Sequence, residues 1–184
     1  MITRTLFTLL VLSAMFFAHT ANAQKRDHLT LQEVDLVKEA QALDKRIDVF
    51  IKAADRRMLV LNGGAASAAN AKQLKKDSEK WGELPAGTRA ELVTDIARIL
   101  DEAITNIDDV SARDERNPLI PKALRKLAQA VNTMMEQLKP LSVQAKTESE
   151  IAGFASLNEG AQSILDAAGK LPPEVEKKAK AKNK

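Results

Sequence analysis

Two pairs of carboxylates are the side chains of this sequence best placed to do chemistry. Asp44 and Asp48 lie four residues apart, and so do Glu91 and Asp95. On a helix this spacing puts both members of a pair on one face, where they repel each other unless a cation lies between them. Divalent cations such as Ca²⁺ and Mg²⁺ prefer oxygen ligands. Glu91, Asp95 and the later Glu102 are therefore the candidate metal ligands.

In spacing alone, the two pairs resemble those of metal-binding bundles of the phosphate-uptake regulator type, and the resemblance implies a bundle that holds a metal. The competing interpretation is a solvated helix face. It rests on the 29% of residues that are charged, which include Arg98, Arg113 and Arg116 beside the acidic residues. We prefer the solvated face and predict no metal and no cofactor.

The sequence lacks the side chains that most catalytic mechanisms require. There is no cysteine and no tyrosine, and of the two histidines only His28 lies outside the N-terminal 23 residues. One histidine cannot supply the two Glu-x-x-His motifs of a di-iron bundle. Neither a G-x-S-x-G motif nor a phosphate-binding glycine loop is present. The sequence therefore predicts a protein that is not an enzyme.

A segment near the C-terminus predicts a helix with two contrasting faces. Small residues spaced alternately by four and three form one stripe, which we call the small-residue stripe: Ser149, Gly153, Ser156, Gly160, Ser163 and Ala167. An apolar stripe runs beside it: Ile151, Phe154, Leu157, Ala161, Ile164, Leu165 and Ala168. An interior glycine costs a helix about 1 kcal/mol relative to alanine, and close approach of another backbone is a physical reason for it. The small-residue stripe is thus the candidate surface for a protein partner or self-association. Packing inside the same bundle and a tolerated exposed face are the alternatives.

The first 23 residues have the pattern of a signal peptide. Arg4 precedes an uncharged, mostly apolar run over 6–17, and Ala21-Asn22-Ala23 offers a cleavage site before Gln24. This run is shorter than the roughly 18 residues that a membrane span needs, and no later segment is apolar enough to be one. We expect a periplasmic or secreted protein without a transmembrane segment after signal cleavage.

The positive net charge comes from the end of the chain. The last eleven residues contain five lysines and two glutamates, whereas residues 24–173 contain one more acidic than basic residue. A folded domain without excess positive charge argues against nucleic acid as its partner. We predict a disordered basic tail over 172–184, in weak contact with an anionic envelope surface as one interpretation and simply solubilising as the other.

Apolar residues recur with helical periodicity along the chain, and no segment alternates as a strand would. The first helix begins with a capping box of Thr30 and Glu33 and ends at Asn62-Gly63-Gly64. At roughly 32 residues it would be about 48 Å long. Its apolar stripe steps by four residues from Ala54 to Met58 where heptad alternation requires three, which is a stutter.

Three further helices are predicted after an uncertain connection. Residues 65–87 are expected to form a short helix, with Trp81 folded back onto the bundle. The second long helix starts with a capping box at Thr88. The third begins near Pro118 or Pro121 and is kinked or ended by Pro140. The fourth starts near Thr147, with Glu150 three residues on, and stops at Gly169.

Together these features predict an all-α protein with one domain over 24–171. The expected fold is an antiparallel four-helix bundle with coiled-coil-like packing, a long first helix and a partly helical 65–87 connection. The expected function is that of an interaction or structural module of the cell envelope. The alternative is a periplasmic bundle that binds a small ligand or a divalent metal.

Overall fold

The structure, a computed structural model, describes residues 27–64 and 68–173, without the side chains of residues 68–73. The predicted signal peptide (1–23) and all of the predicted tail beyond residue 173 lie outside the described residues. Within them the chain is all-helical, with no strand. The six helices are α1 (Leu31–Glu39), α2 (Leu43–Leu61), α3 (Ala68–Trp81), α4 (Arg89–Arg113), α5 (Leu119–Val143) and α6 (Glu148–Gly169).

The four longer helices, α2, α4, α5 and α6, pack around one core. Both α4 and α5 pack against α2 and against α6, and no contact joins α2 to α6 in the described part of the chain. Most of the apolar positions at helical spacing on these four helices become buried, as the sequence predicts. Fully buried members of the core include Ile47, Phe50, Ile96, Ile99, Leu127, Leu138, Leu157 and Ile164.

The predicted long first helix is wrong, because the chain breaks it into α1 and α2 at residues 40–42. In one continuous helix Glu33 and Arg57 would lie about 36 Å apart, whereas Arg57 Nη1 is 2.7 Å from Glu33 Oε1. α1 therefore turns back and packs against α2. Arg46 Nε donates to the carbonyl oxygen of Ala40 at 3.1 Å, which satisfies an acceptor at the break.

The predicted short helix in the 65–87 connection is confirmed as α3. It contacts α1, and its last residue, Trp81, folds back so that the guanidinium carbon of Arg56 lies 5.8 Å from the ring centroid. At that distance the charge attracts the electron-rich face of the ring. The chain leaves α3 through Gly82, whose φ of 68° favours glycine.

Pro140 does not end α5, which continues to Val143, so that part of the prediction is wrong. Proline removes one backbone N–H and costs most in the middle of a helix. Here only three helical residues follow it, and few backbone bonds remain to be disturbed. Ser142 Oγ also donates to the carbonyl oxygen of Lys139 at 2.8 Å.

Capping boxes begin three of the helices. Those at Thr30 and Thr88 are present as predicted, and Thr147 with Glu150 forms a third at the start of α6. Glu150 also accepts a hydrogen bond from Arg89 Nε at 2.8 Å. The carboxylate that starts α6 thus also ties this helix to the first turn of α4.

Replacing Glu150 with glutamine is expected to weaken the pH dependence of thermal stability in acid. The Arg89 guanidinium, and then the backbone N–H groups of Lys146 and Thr147, lower the pKa of Glu150 from 4.5 to about 2. A folded-state pKa below the unfolded value stabilises the protein above pH 4.5 and loses that contribution as the pH falls towards 2. Melting temperatures followed by circular dichroism across this window should fall less steeply in Glu150→Gln than in the wild type.

Glu148→Gln is the matched control, since Glu148 is an exposed carboxylate in the same first turn. It should keep the wild-type pH dependence. Identical pH profiles for Glu150→Gln and the wild type would contradict the assigned role of Glu150.

Candidate functional site

The structure divides the small-residue stripe between the interior and the surface. Gly153 is buried, and a Cβ atom placed on it would lie 3.2 Å from Thr94 Oγ1 and 3.5 Å from Val93 Cγ1 of α4. Such a contact with Oγ1 is tighter than most Cβ atoms make. Close packing of α6 on α4 therefore explains Gly153, as one of the alternatives from the sequence has it.

The other members of the stripe are not packed in this way. Nothing lies within 4 Å of the position that a Cβ atom on Gly160 would occupy. Ser149, Ser156 and Ser163 are exposed, and Ala167 is half-buried. The bundle itself gives no packing reason for a glycine at position 160.

The outer face of α6 carries small and apolar side chains together with the exposed Glu159, Gln162 and Asp166. Ile151, which the sequence places in the apolar stripe, is 56% exposed, and α6 contains no lysine or arginine. The opposite side of the helix carries the buried Phe154, Leu157 and Ile164. We define the outer face by its exposed or open members: Ser149, Ile151, Ala152, Ala155, Ser156, Gly160 and Ser163.

A buried charge cluster lies where α1, α2 and α4 meet; its members, Glu33, Arg56, Arg57 and Asp95, are each at most 4% exposed. Glu33 Oε1 accepts from Arg57 Nη1 at 2.7 Å and lies 3.4 Å from Arg56 Nη1. Arg57 Nε lies 4.0 Å from Asp95 Oδ2. Two cations and two anions share one interior volume, so the cluster as a whole is neutral. Removing any one member would leave an uncompensated buried charge.

Backbone carbonyl groups satisfy most of the remaining donors of the two arginines. Arg57 donates to Ala53 O at 2.8 Å and to His28 O at 2.6 Å, and its Nε is the buried side-chain nitrogen without a hydrogen-bond partner among the described residues. Arg56 donates to the carbonyl oxygens of residues 81, 82 and 83. Burial lowers the pKa of Arg56, and the neighbouring Glu33 opposes that shift. The arginines thus anchor the segment before α1 and the segment after α3.

His28 lies between two carboxylates. Its Nε2 is 2.7 Å from Glu102 Oε2 of α4, and its Nδ1 is 3.3 Å from Asp27 Oδ1. A histidine oriented by a carboxylate is half of a nucleophile-activating arrangement. No hydroxyl group bonds to His28 in the described ranges, because both ring nitrogens contact carboxylates. The contact fastens the N-terminal segment to α4.

The candidate metal ligands have other partners. Glu91 belongs to the capping box of α4, Asp95 lies beside Arg57 in the buried charge cluster, and Glu102 contacts His28. No group of three or more histidine, aspartate or glutamate residues in residues 27–64 and 68–173 is arranged to hold a metal ion.

The first carboxylate pair faces lysines of α5. Lys122 Nζ is 2.6 Å from Asp44 Oδ2, and Lys126 Nζ is 2.6 Å from Asp48 Oδ1. The hydrogen bond from Lys122 holds the pKa of Asp44 below its usual range, although burial opposes it. Lysine ammonium groups occupy the position that the resemblance to metal-binding bundles assigned to a cation.

The chain matches no protein-family model, no curated protein and no solved structure. The six packed helices of the described residues define the class of protein as an all-helical bundle. None of the helices among them is long and apolar enough to cross a membrane.

Proposed function

We propose that this protein is an exported, non-enzymatic helical bundle that acts as an interaction module of the cell envelope. The surface we assign to this role is the outer face of α6, and its occupant is a helix of a protein partner or of a second copy. The observation that supports the proposal is the open space around Gly160. A glycine that the bundle does not need still lowers helix stability by about 1 kcal/mol, and a second helix backbone docked there would offset that cost.

The finer architecture that we propose is a bundle in which consecutive long helices are antiparallel. Short connections, residues 114–118 and 144–147, support the reversals. Contacts between α2 and α5 pair Asp44 with Lys122 and Asp48 with Lys126, which is the order expected of two parallel neighbours. The chain between α4 and α5 would then cross the bundle diagonally, and α6, like α2, would pack against both α4 and α5 and turn its outer side to solvent.

Export rests on the sequence features of residues 1–23, and the proposed location is the periplasm or the outside of the cell. There the outer face of α6, which carries acidic residues and no lysine or arginine, is available to other envelope proteins. The same location makes contact of the basic tail with anionic surfaces a second, weaker interaction that we also propose.

Gly160→Leu is expected to weaken association without lowering stability. Leucine has the higher helix propensity by about 0.8 kcal/mol, and its Cβ meets open space, so the melting temperature should stay the same or rise. Sedimentation velocity of the mature chain would measure self-association. Crosslinking from Ser156, with and without the substitution, would measure contact with a partner in the host's extracytoplasmic fraction.

Two controls separate binding from folding. Gly153→Leu should destabilise the bundle by about 1–3 kcal/mol through overpacking against Thr94. Thr105→Leu places the same side chain on the exposed face of α4 and should change neither property. A stability loss in Gly160→Leu, with or without a matching loss of association, would contradict the proposal.

A further inference from the structure

A cavity of about 390 Å³ lies between α2 and α3 and is bordered by the segment that follows α3. Its lining residues lie between positions 52 and 84, so none of them belongs to α6 or to its outer face. Half-buried leucines from each of the three segments line it: Leu59 of α2, Leu74 of α3 and Leu84 of the following segment. Its volume is within the usual range for small-molecule sites, which combine apolar walls with a few polar groups.

The charges around the cavity leave a negative excess. Lys52 Nζ is 2.9 Å from Asp77 Oδ2, so these two lining residues form an ion pair that joins α2 to α3. The Arg56 guanidinium is held by backbone carbonyl oxygens and by Glu33. No ion pair or side-chain hydrogen bond occupies the carboxylate of Asp55 among the described residues, and that carboxylate borders the cavity.

The protein around Asp55 also disfavours its charge. Asp55 is exposed at the cavity border, but partial desolvation raises the pKa of its carboxyl, and the nearby Lys52 only partly offsets the shift. The exposed side chain of Glu83, on the opposite border, adds a second negative charge. A positive charge brought to this border would therefore gain from both carboxylates, and the leucine walls would favour an apolar body behind it.

We propose that this cavity binds a small primary alkylammonium compound, with its ammonium group on Asp55 and its alkyl chain against Leu59, Leu74 and Leu84. The proposal goes beyond the assigned interaction surface and is independent of it. The ammonium group of the ligand donates hydrogen bonds to the carboxylate of Asp55. A fatty acid or a neutral alcohol of equal length lacks the positive charge.

The chain carries its own reporter for this site. Trp81 is the only tryptophan, it precedes Gly82 and Glu83 at the cavity border, and its emission is sensitive to changes around α3. The probe is n-hexylammonium, titrated into the folded protein and followed by Trp81 fluorescence and by calorimetry. Hexanoate and 1-hexanol are the matched ligands. We expect saturable binding, with the affinity highest for hexylammonium, lower for hexanol and lowest for hexanoate.

Asp55→Asn tests the assigned carboxylate with almost no change in shape. It should weaken hexylammonium binding by about tenfold, the effect of losing one charge-assisted hydrogen bond, and leave hexanol binding nearly unchanged. Leu59→Ala should weaken both ligands. Asp108→Asn, an exposed position on α4, is the control and should bind as the wild type does.

Three results would overturn the proposal. The first is the absence of saturable hexylammonium binding at millimolar concentrations by both methods. The second is equal binding by Asp55→Asn and the wild type, and the third is hexanoate binding as tightly as hexylammonium. None of them would affect the association measured for the outer face of α6, so the two proposals stand or fall separately.

Discussion

Replacing Arg57 with methionine is expected to lower the free energy of unfolding by about 3–5 kcal/mol, the usual cost of removing one partner of a buried ion pair. The substitution keeps an unbranched side chain but removes the hydrogen bonds to Glu33, Ala53 and His28. Glu33, which has no exposed surface, would then keep its hydrogen bond from Thr30 N–H, but its one remaining ion-pair contact would be the longer one with Arg56. Urea denaturation followed by circular dichroism measures the loss, provided that the denaturant slope is unchanged.

Two further variants test the origin of that loss. Arg98→Met makes the same replacement on the exposed face of α4 and should change stability by less than about 0.5 kcal/mol. The double variant Glu33→Gln with Arg57→Met should recover part of the loss, because glutamine keeps the capping box without leaving a charge. An ordinary substitution changes the free energy of unfolding by about 1 kcal/mol. A loss no larger than that in Arg57→Met would contradict the assigned role of Arg57 in the buried charge cluster.

Arg56→Ala is expected to lower the free energy of unfolding by about 2–4 kcal/mol. Hydrogen bonds to a charged group contribute about 1.5–3 kcal/mol each, but the loss is smaller than their sum because some of the freed carbonyl groups bond to water instead. It also removes the contact with the Trp81 ring. Because these interactions fasten the end of α3 to α2, the loss should be accompanied by a red shift of Trp81 emission and faster proteolysis within α3.

Arg56→Lys separates charge from geometry. Lysine keeps the positive charge near Glu33, but it lacks the planar fork that reaches several carbonyl groups at once. The stability of Arg56→Lys should therefore lie between those of the wild type and Arg56→Ala. Unchanged Trp81 emission in Arg56→Ala would contradict the anchoring role of this side chain.

Local features of the fold could be predicted from the sequence because their causes are local. The capping boxes at Thr30 and Thr88 depend on residues three apart, and the end of α2 depends on Gly63, whose φ is 67°. The burial of Phe154 and Ile164 follows from helical periodicity. None of these features depends on which helix lies next to which.

The turn between α1 and α2 could not be predicted in this way. Residues 40–42 contain neither glycine nor proline, and the apolar stripe continues across them. The cause is the pairing of Glu33 with Arg57, which is a contact between residues far apart in sequence. The stutter was nevertheless a signal: the residue three positions after Ala54, where heptad alternation requires an apolar side chain, is the buried Arg57.

The candidate surface shows the same limit. Sequence spacing places Gly153 and Gly160 in one stripe, and only the packing of α6 against α4 distinguishes them. Helix pairing was also not predictable from the apolar stripes, which are too similar to one another. Charge supplies the missing information, because Asp44 and Asp48 match Lys122 and Lys126 at the same spacing.

Glu33 takes part both in the capping box of α1 and in the buried ion pair with Arg57, so it links the formation of α1 to the docking of α1 on α2. One carboxylate oxygen accepts from the backbone of Thr30 and the other from Arg57. A helix of nine residues is too short to persist alone in water, so α1 exists as a helix only while Glu33 is docked. Hydrogen exchange should therefore find the amides of α1 opening together, as one cooperative unit, and each opening exposes the charge of Arg57 to water.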